Sequence, residues 1–206
     1  MTFDAPNMPR LNLRTQMPFP GAVWHSKSGA ESFGKSDPVK VKQLLADSGY
    51  KGETLRWLTS KDFFNDWYLP AQTVQQQLEK YGIKVDLQVA PAATVSQKRT
   101  DAANFEIFSS FLPAYPDPTL IPYLQSTFPG FWANPQKDDL VAKLRTEADQ
   151  TKRVEIWNQL HALIYQEFPY IKFGTEAAFS AVGKNVTGYS TSPANTAAFF
   201  NVSPGK

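Results

Sequence analysis

Between Asn134 and Val182 apolar residues recur first at helical spacing and then at strand spacing. Leu140, Val141, Leu144 and Ala148 share one face after Asn134, a helix-capping residue type, and Pro135, whose missing N–H costs nothing at a first helical position. Thr151 starts a second helix, in which Val154, Trp157, Leu160, Ile164 and Phe168 keep the interval until Pro169 stops it. Ile171 to Val182 then reads as a strand. Upstream, Asp37-Pro38 opens a short surface helix with Val41, Leu44 and Leu45 on its apolar face and Gly49 as its stop. Thr54 to Thr59 is β-prone, and Trp67, Ala71, Val74, Leu78 and Tyr81 mark a helix that Gly82 ends, with Pro70 in its first turn or bending it. Ile83, Val85, Leu87 and Val89 alternate with Lys84, Asp86 and Gln88, the pattern of a strand covered on one face. Ala92 to Asp101 fits a helix, Phe105 to Phe111 a short buried strand, and Phe199 to Val202 a last strand after a turn at Gly188-Tyr189. Strands alternating with helices predict an α/β sheet with mainly crossover connections. Residues 1–36, with Pro6, Pro9, Pro18 and Pro20 among small polar residues, have no period and read as an irregular segment wrapping over the domain.

Composition narrows the classes. A chain of 206 residues with 42% hydrophobic and 19% charged residues is long enough for one well-filled core. The net charge of +2 comes from 21 basic and 19 acidic side chains scattered along the chain, with no basic stripe to track a phosphate backbone, so nucleic acid is not an expected partner. Cysteine is absent, which removes disulfides, thiolate metal sites and cysteine nucleophiles. No apolar run reaches the roughly 20 residues of a membrane-spanning helix, and the first residues lack the basic start and apolar centre of a secretory signal.

Several of these short patterns together resemble the family 5 extracytoplasmic solute-binding proteins of bacterial ABC importers, which carry peptides, nickel chelates and some sugars. The matching residues are Asn134-Pro135, Asp139-Leu140, Ala148-Asp149 with Arg153, Trp157, and Glu167-Phe168-Pro169. Further upstream they are Asp37-Pro38 with Val41 and Leu44-Leu45, Gly49-Tyr50, and Gln77-Leu78 with Tyr81-Gly82-Ile83-Lys84-Val85. Their order, over roughly residues 37–202, carries the resemblance more than any one of them. It implies an α/β lobe of the type II periplasmic-binding-protein fold, with a mixed sheet flanked by helices. Members are usually at least twice this length and carry a signal peptide or lipid anchor. The expectation is therefore a fragment: an irregular segment over 1–36, lobe two over 37–190, and a return strand and tail over 191–206 toward a missing N-terminal lobe. The full-length protein is expected to be periplasmic, to carry a signal peptide and to deliver its ligand to ABC permease membrane subunits.

Among candidate site residues the loop from Phe111 to Pro118 ranks first, because it leaves the carboxyl end of a strand, where ligands of open α/β sheets bind. Asp117 and Pro118 also suit a helix start, a purely structural role. In peptide-binding members, the resemblance implies, this loop supplies a carboxylate that clamps the ligand's free amino terminus. The corresponding position is Ala114, which cannot neutralise an ammonium, so ordinary peptides with free amino termini are disfavoured. In nickel-chelate members the loop contributes aromatic contacts instead, and Phe111, Tyr115 and the nearby Phe131-Trp132 can form a comparable wall, with Leu112 of the same loop also placed at the ligand. Aromatic residues are 14% of the chain, and Trp24 and Trp57 are also placed near a cleft, whereas Trp157, at helical spacing, belongs to the core.

Chemistry of other kinds finds less support. His25 and His161, the only histidines, are too far apart in sequence for a local metal motif, and no metal or other cofactor is expected. Asp138-Asp139 and Glu147 with Asp149 invite a glycosidase reading, but both pairs suit helix ends. Ser109 and Ser110 lack a nucleophile-elbow pattern. The leading reading is the substrate-binding component of an importer, with no catalysis, recognising a small peptide-like compound, metal chelate or oligosaccharide. The alternatives are a small carboxylate- or serine-dependent hydrolase and a stand-alone protein-interaction domain.

Overall fold

The computed structural model describes residues 23–32, 37–112, 115–173, 182–191, 197–198 and 202–204. Helix α1 (Pro38–Asp47) begins as predicted, with Asp37 Oδ1 accepting from the backbone N–H groups of Val39 and Lys40. Among the described residues none of α1 is fully buried: Leu44 is exposed, and Val41 and Leu45 are half-buried.

Strand β1 (Thr54–Thr59) is the centre of a three-stranded sheet, between β2 (Lys84–Val89) and β3 (Ile107–Phe108). All pairings are parallel: Thr54 to Thr59 lie opposite Lys84 to Val89, and Trp57 and Leu58 lie opposite Ile107 and Phe108. Where a mixed sheet is expected, the three-stranded sheet is wholly parallel, and among the described residues antiparallel pairing is found in two separate small ribbons. They are β4 (Val186–Thr187) with β7 (Ser203–Pro204) and β5 (Ser190–Thr191) with β6 (Ala197–Ala198). Helices α2 (Leu69–Glu79) and α3 (Ala92–Lys98) supply the crossovers, and a wide helical turn over Phe64–Tyr68 leads into α2 with Pro70 in its first turn.

Alternation along β1 sends its side chains to opposite faces. Leu58 enters one cluster with Trp67, Val95 and Phe105, while Trp57 enters another with Ala71 and Val85. A central parallel strand covered on both faces has no clean polar alternation, which is why Thr54–Thr59 reads only as β-prone.

A third cluster is built on the hairpin of α4 (Pro135–Thr146) and α5 (Gln150–Glu167). Asn134 Oδ1 accepts from the Lys137 N–H at 2.9 Å, and Asp149 Oδ1 caps α5 through the Lys152 N–H at 2.9 Å. Leu140, Val141, Leu144, Trp157, Leu160 and Ile164 are buried as their spacing predicts. Two positions differ. Ala148 lies past the end of α4 and is exposed. Phe168 leaves the stripe, with φ of 49° and 57% exposure, because the residue before a proline is driven off the right-handed helical region.

The N-terminal segment contributes to this core. Trp24 is buried in it, its indole N–H donating to the Pro116 carbonyl at 2.9 Å, and its own carbonyl accepts from the Trp157 indole at 2.6 Å. His161 Nδ1 lies 2.7 Å from the Ser28 carbonyl. Gly29, at φ of +79°, lets the chain approach α5 so closely that a Cβ would stand 2.9 Å from Ala162 Cα.

The predicted strand over Ile171 to Val182 does not form in Ile171–Phe173 or at Val182, and residues 174–181 lie outside the described residues. Of the predicted last strand, Phe199 to Asn201 lie outside them, Val202 is not in a strand, and pairing begins at Ser203.

Candidate functional site

The carboxyl ends of β1, β2 and β3 form one edge of the sheet, and β3 runs from it into the loop singled out above. Behind the edge lies a hydrogen-bonded floor. Trp57 Nε1–H donates to Ser109 Oγ at 3.0 Å, and Ser109 Oγ–H donates to Thr59 Oγ1 at 3.2 Å. Thr59 and Ser60 are fully buried. Trp57 itself is 2% exposed and stacks on Phe173, so it is a core residue and not a cleft wall. Trp24 likewise belongs to the hairpin core.

On the open side, Phe63, Trp67 and Phe111 form an aromatic group, with ring centroids 4.7 Å apart for Phe63 and Trp67 and 5.6 Å for Phe63 and Phe111. Phe111 keeps 63% of its surface exposed, whereas Trp67 is buried and its indole N–H has no partner among the described residues. Such an orphan donor is uncommon in a folded interior.

Other predicted site residues divide between the clusters. Leu112, Tyr115 and Trp132 pack against the hairpin core, while Phe131 packs against the sheet cluster that holds Trp67. Phe131 and Trp132 are therefore consecutive residues directed into different cores, and Phe131 adopts φ of 49° to do so. Burial raises the Tyr115 phenol above its ordinary range. Ala114, with Pro113, lies outside the described residues.

Asp117 proves fully engaged. Its Oδ1 accepts from the Thr119 N–H at 2.9 Å and the Thr119 hydroxyl at 2.6 Å, and its Oδ2 pairs with the Arg153 guanidinium. Partial burial pushes the Asp117 carboxyl up, but these donors and the Arg153 charge outweigh it and hold the group below the usual carboxylate range. Arg153 also donates to the Leu144 carbonyl and covers the Trp24 ring, so it ties the loop to the helical hairpin.

Sequence reasoning passed over Lys137, which is fully buried and donates from Nζ to Ser126 Oγ at 2.6 Å and the Trp132 carbonyl at 2.8 Å. Glu167 completes the brace by accepting from Trp132 Nε1–H at 2.6 Å and from the Asn134 amide. A signal for Lys137 was present, since it precedes Leu140, Val141 and Leu144 by three, four and seven residues on the same face. Phe63 and Arg99 were passed over too, and only the doublet Phe63-Phe64 just past a strand end marked that region.

The acid pairs are spent elsewhere. Asp138, in the first turn of α4, and Asp139, just after it, stand exposed and are paired with Lys137 and Lys143. Asp149 caps α5, and its N–H donates to Glu147. Among the described residues no three His, Cys, Asp or Glu side chains gather as a metal site.

Residues 11–131, more than half of the chain, match the family described as Bacterial extracellular solute-binding proteins, family 5 Middle. The chain belongs to this family. Family 5 is made of binding proteins that work outside the cytoplasm. Glutathione-binding protein GsiB of Escherichia coli strain K12 is 27% identical over 169 residues, covering 74% of this chain and 33% of the relative. The chain thus spans about a third of the length of the curated relatives it matches. In fold it resembles a dipeptide binding protein from Pseudoalteromonas in complex with Met-Leu, at a TM-score of 0.67 and 21% identity over 82% of this chain and 36% of that one. It also resembles NikA from Staphylococcus aureus in complex with Ni(L-His)2, at 0.63 and 20% over 79% of this chain and 37% of that one. These likenesses show the α/β fold, and the structural neighbours are type II periplasmic binding proteins.

Proposed function

We propose that this chain is the ligand-contacting second lobe of the substrate-binding component of an ABC importer, closing on a small ligand without catalysing a reaction. The observation that carries this is the exposed Phe111, seated on Phe63 and Trp67 at the carboxyl edge of a parallel sheet, in a chain of family 5. Phe111, Leu112, Ala114, Tyr115 and Asp117 belong to the loop that borders the ligand, and Asp117 serves by fixing the loop on Arg153. Phe131 and Trp132 are supporting residues. The named ligands of the relatives, glutathione, Met-Leu and Ni(L-His)2, are small and built from amino acids, which supports a peptide-like compound or chelate as the ligand class.

Partners in this reading are a first lobe and the permease subunits, and the place of work is the periplasm. Ile171 and Phe173, at 67% and 45% exposure, and the exposed Leu44 of α1 are surfaces a first lobe would cover. The hydrolase alternative loses its main support, because both acid pairs are solvated helix ends.

Titration calorimetry of the chain against glutathione, Met-Leu and Ni(L-His)2 tests the reading. The expected result is saturable binding to at least one, with a dissociation constant of about 1 mM, since one lobe buries only part of a ligand. Absence of saturable binding to all three, or breakdown of a probe, would overturn it.

A further inference from the structure

At the carboxyl edge the acids and the cations are treated unequally. Asp62 Oδ2 accepts from the Ala92 N–H at 2.7 Å and Asp117 is held by Thr119 and Arg153, while Asp101, which lies before the amino end of β3, accepts through Oδ1 from the Ala103 N–H at 2.9 Å. Each carboxylate therefore already serves the fold. Arg99, at the end of α3, is held with no acid within ion-pair distance among the described residues. Its guanidinium lies 5.5 Å from the Phe108 ring centroid and 5.8 Å from that of Phe128. Nη1–H donates to Ser110 Oγ at 3.2 Å, which brings the charge beside the residue preceding Phe111.

A guanidinium carries five N–H donors in a planar fork that matches a carboxylate. Here one is used within the protein, and the flanking rings fix the orientation of the rest. A stacked arginine also braces the loop around Phe128 against β3, and the half-buried guanidinium keeps its remaining donors turned to solvent, where a ligand can reach them. Ser110, which Arg99 touches, is followed by Phe111, whose exposed ring lies 6.0 Å from that of Trp67, a buried indole whose N–H has no partner among the described residues. A phosphate, at close to two charges, calls for a second cation or a nest of backbone N–H groups, whereas a single carboxylate matches a single guanidinium.

We propose that Arg99 is the anion anchor of the ligand site, and that the ligand is a small carboxylate-bearing molecule whose apolar flank lies on Phe111. This inference rests on the reading of the carboxyl edge as the ligand site.

Two-dimensional NMR of the chain, following the Arg99 Nε–H and Trp67 Nε1–H signals, tests it with N-acetyl-phenylalanine, its neutral amide and phenyl phosphate as probes. The carboxylate is expected to bind about tenfold more tightly than the amide, and phenyl phosphate more weakly than the carboxylate. Arg99→Gln should erase the preference for acid over amide, and Arg99→Lys should keep part of it. Equal binding of acid and amide, stronger binding of phenyl phosphate, or an unchanged preference in Arg99→Gln would each overturn the assignment while leaving the edge as the ligand site. A variant that only loses thermal stability points to bracing and overturns it as well. If no probe moves any signal around Phe111, the underlying reading of the edge falls too.

Discussion

In the helical hairpin, Trp24, Trp157, His161 and Lys137 each bury a polar atom and each gives it a partner. At the carboxyl edge Trp67 buries an indole N–H without one among the described residues, and Phe111 leaves most of its ring in solvent. Apart from the Tyr123 hydroxyl, the buried polar groups of the hairpin core named above are satisfied by the chain's own residues, so substitution there should be read in stability. The edge is left incomplete, so substitution there should be read in binding. The contrast shows which part of one domain is framework and which part awaits something from outside.

The contrast breaks first if the hairpin proves tolerant. Leu144→Ala removes a side chain with no exposure and should cost about 3 kcal/mol in denaturant unfolding, with ligand contacts unchanged in a chain that still folds. Asp117→Ala tests the tie between the two regions. It strands the Thr119 and Arg153 donors and should cost about 2 kcal/mol. The same pair gives a pH dependence. Because the Asp117 carboxyl is held below its unfolded value of about 3.9, its contribution is present above that pH and is lost as pH falls through the folded value. Acid unfolding of Asp117→Ala should therefore lack that component. The smallest stability effect belongs to the edge: Phe111→Ser should change unfolding by no more than about 0.5 kcal/mol while weakening probe binding. A large stability loss from Phe111→Ser would remove the distinction between framework and edge.

Legibility in the sequence follows the same division. Asp37 and Asn134 cap their helices as their residue types dictate, α5 starts one residue before Thr151 on an Asp149 cap, and the stripes of α4 and α5 are buried, because local hydrogen bonds and a 3.6-residue period are written along the chain. Alternation placed β2, whereas β1, covered on both faces, gave a weaker signal. The site was legible only as a loop. That Trp57 is sealed under Ser109, that Asp117 faces Arg153, and that Arg99 reaches Ser110 are contacts between residues 11 to 52 positions apart. No local pattern encodes them. Lys137 shows the same limit, since spacing puts it on the apolar face but residue type argues for solvent, and only Ser126 and the Trp132 carbonyl reveal how its charge is accommodated.

The left-handed residue at Phe131 has a consequence for how the domain comes apart. Since it and Trp132 are adjacent on the chain yet anchored in the sheet cluster and the hairpin cluster, loosening either cluster pulls on the other through a single peptide. Sheet and hairpin should then open together, and the slowest-exchanging amides of β1 and α5 should report one common free energy of opening.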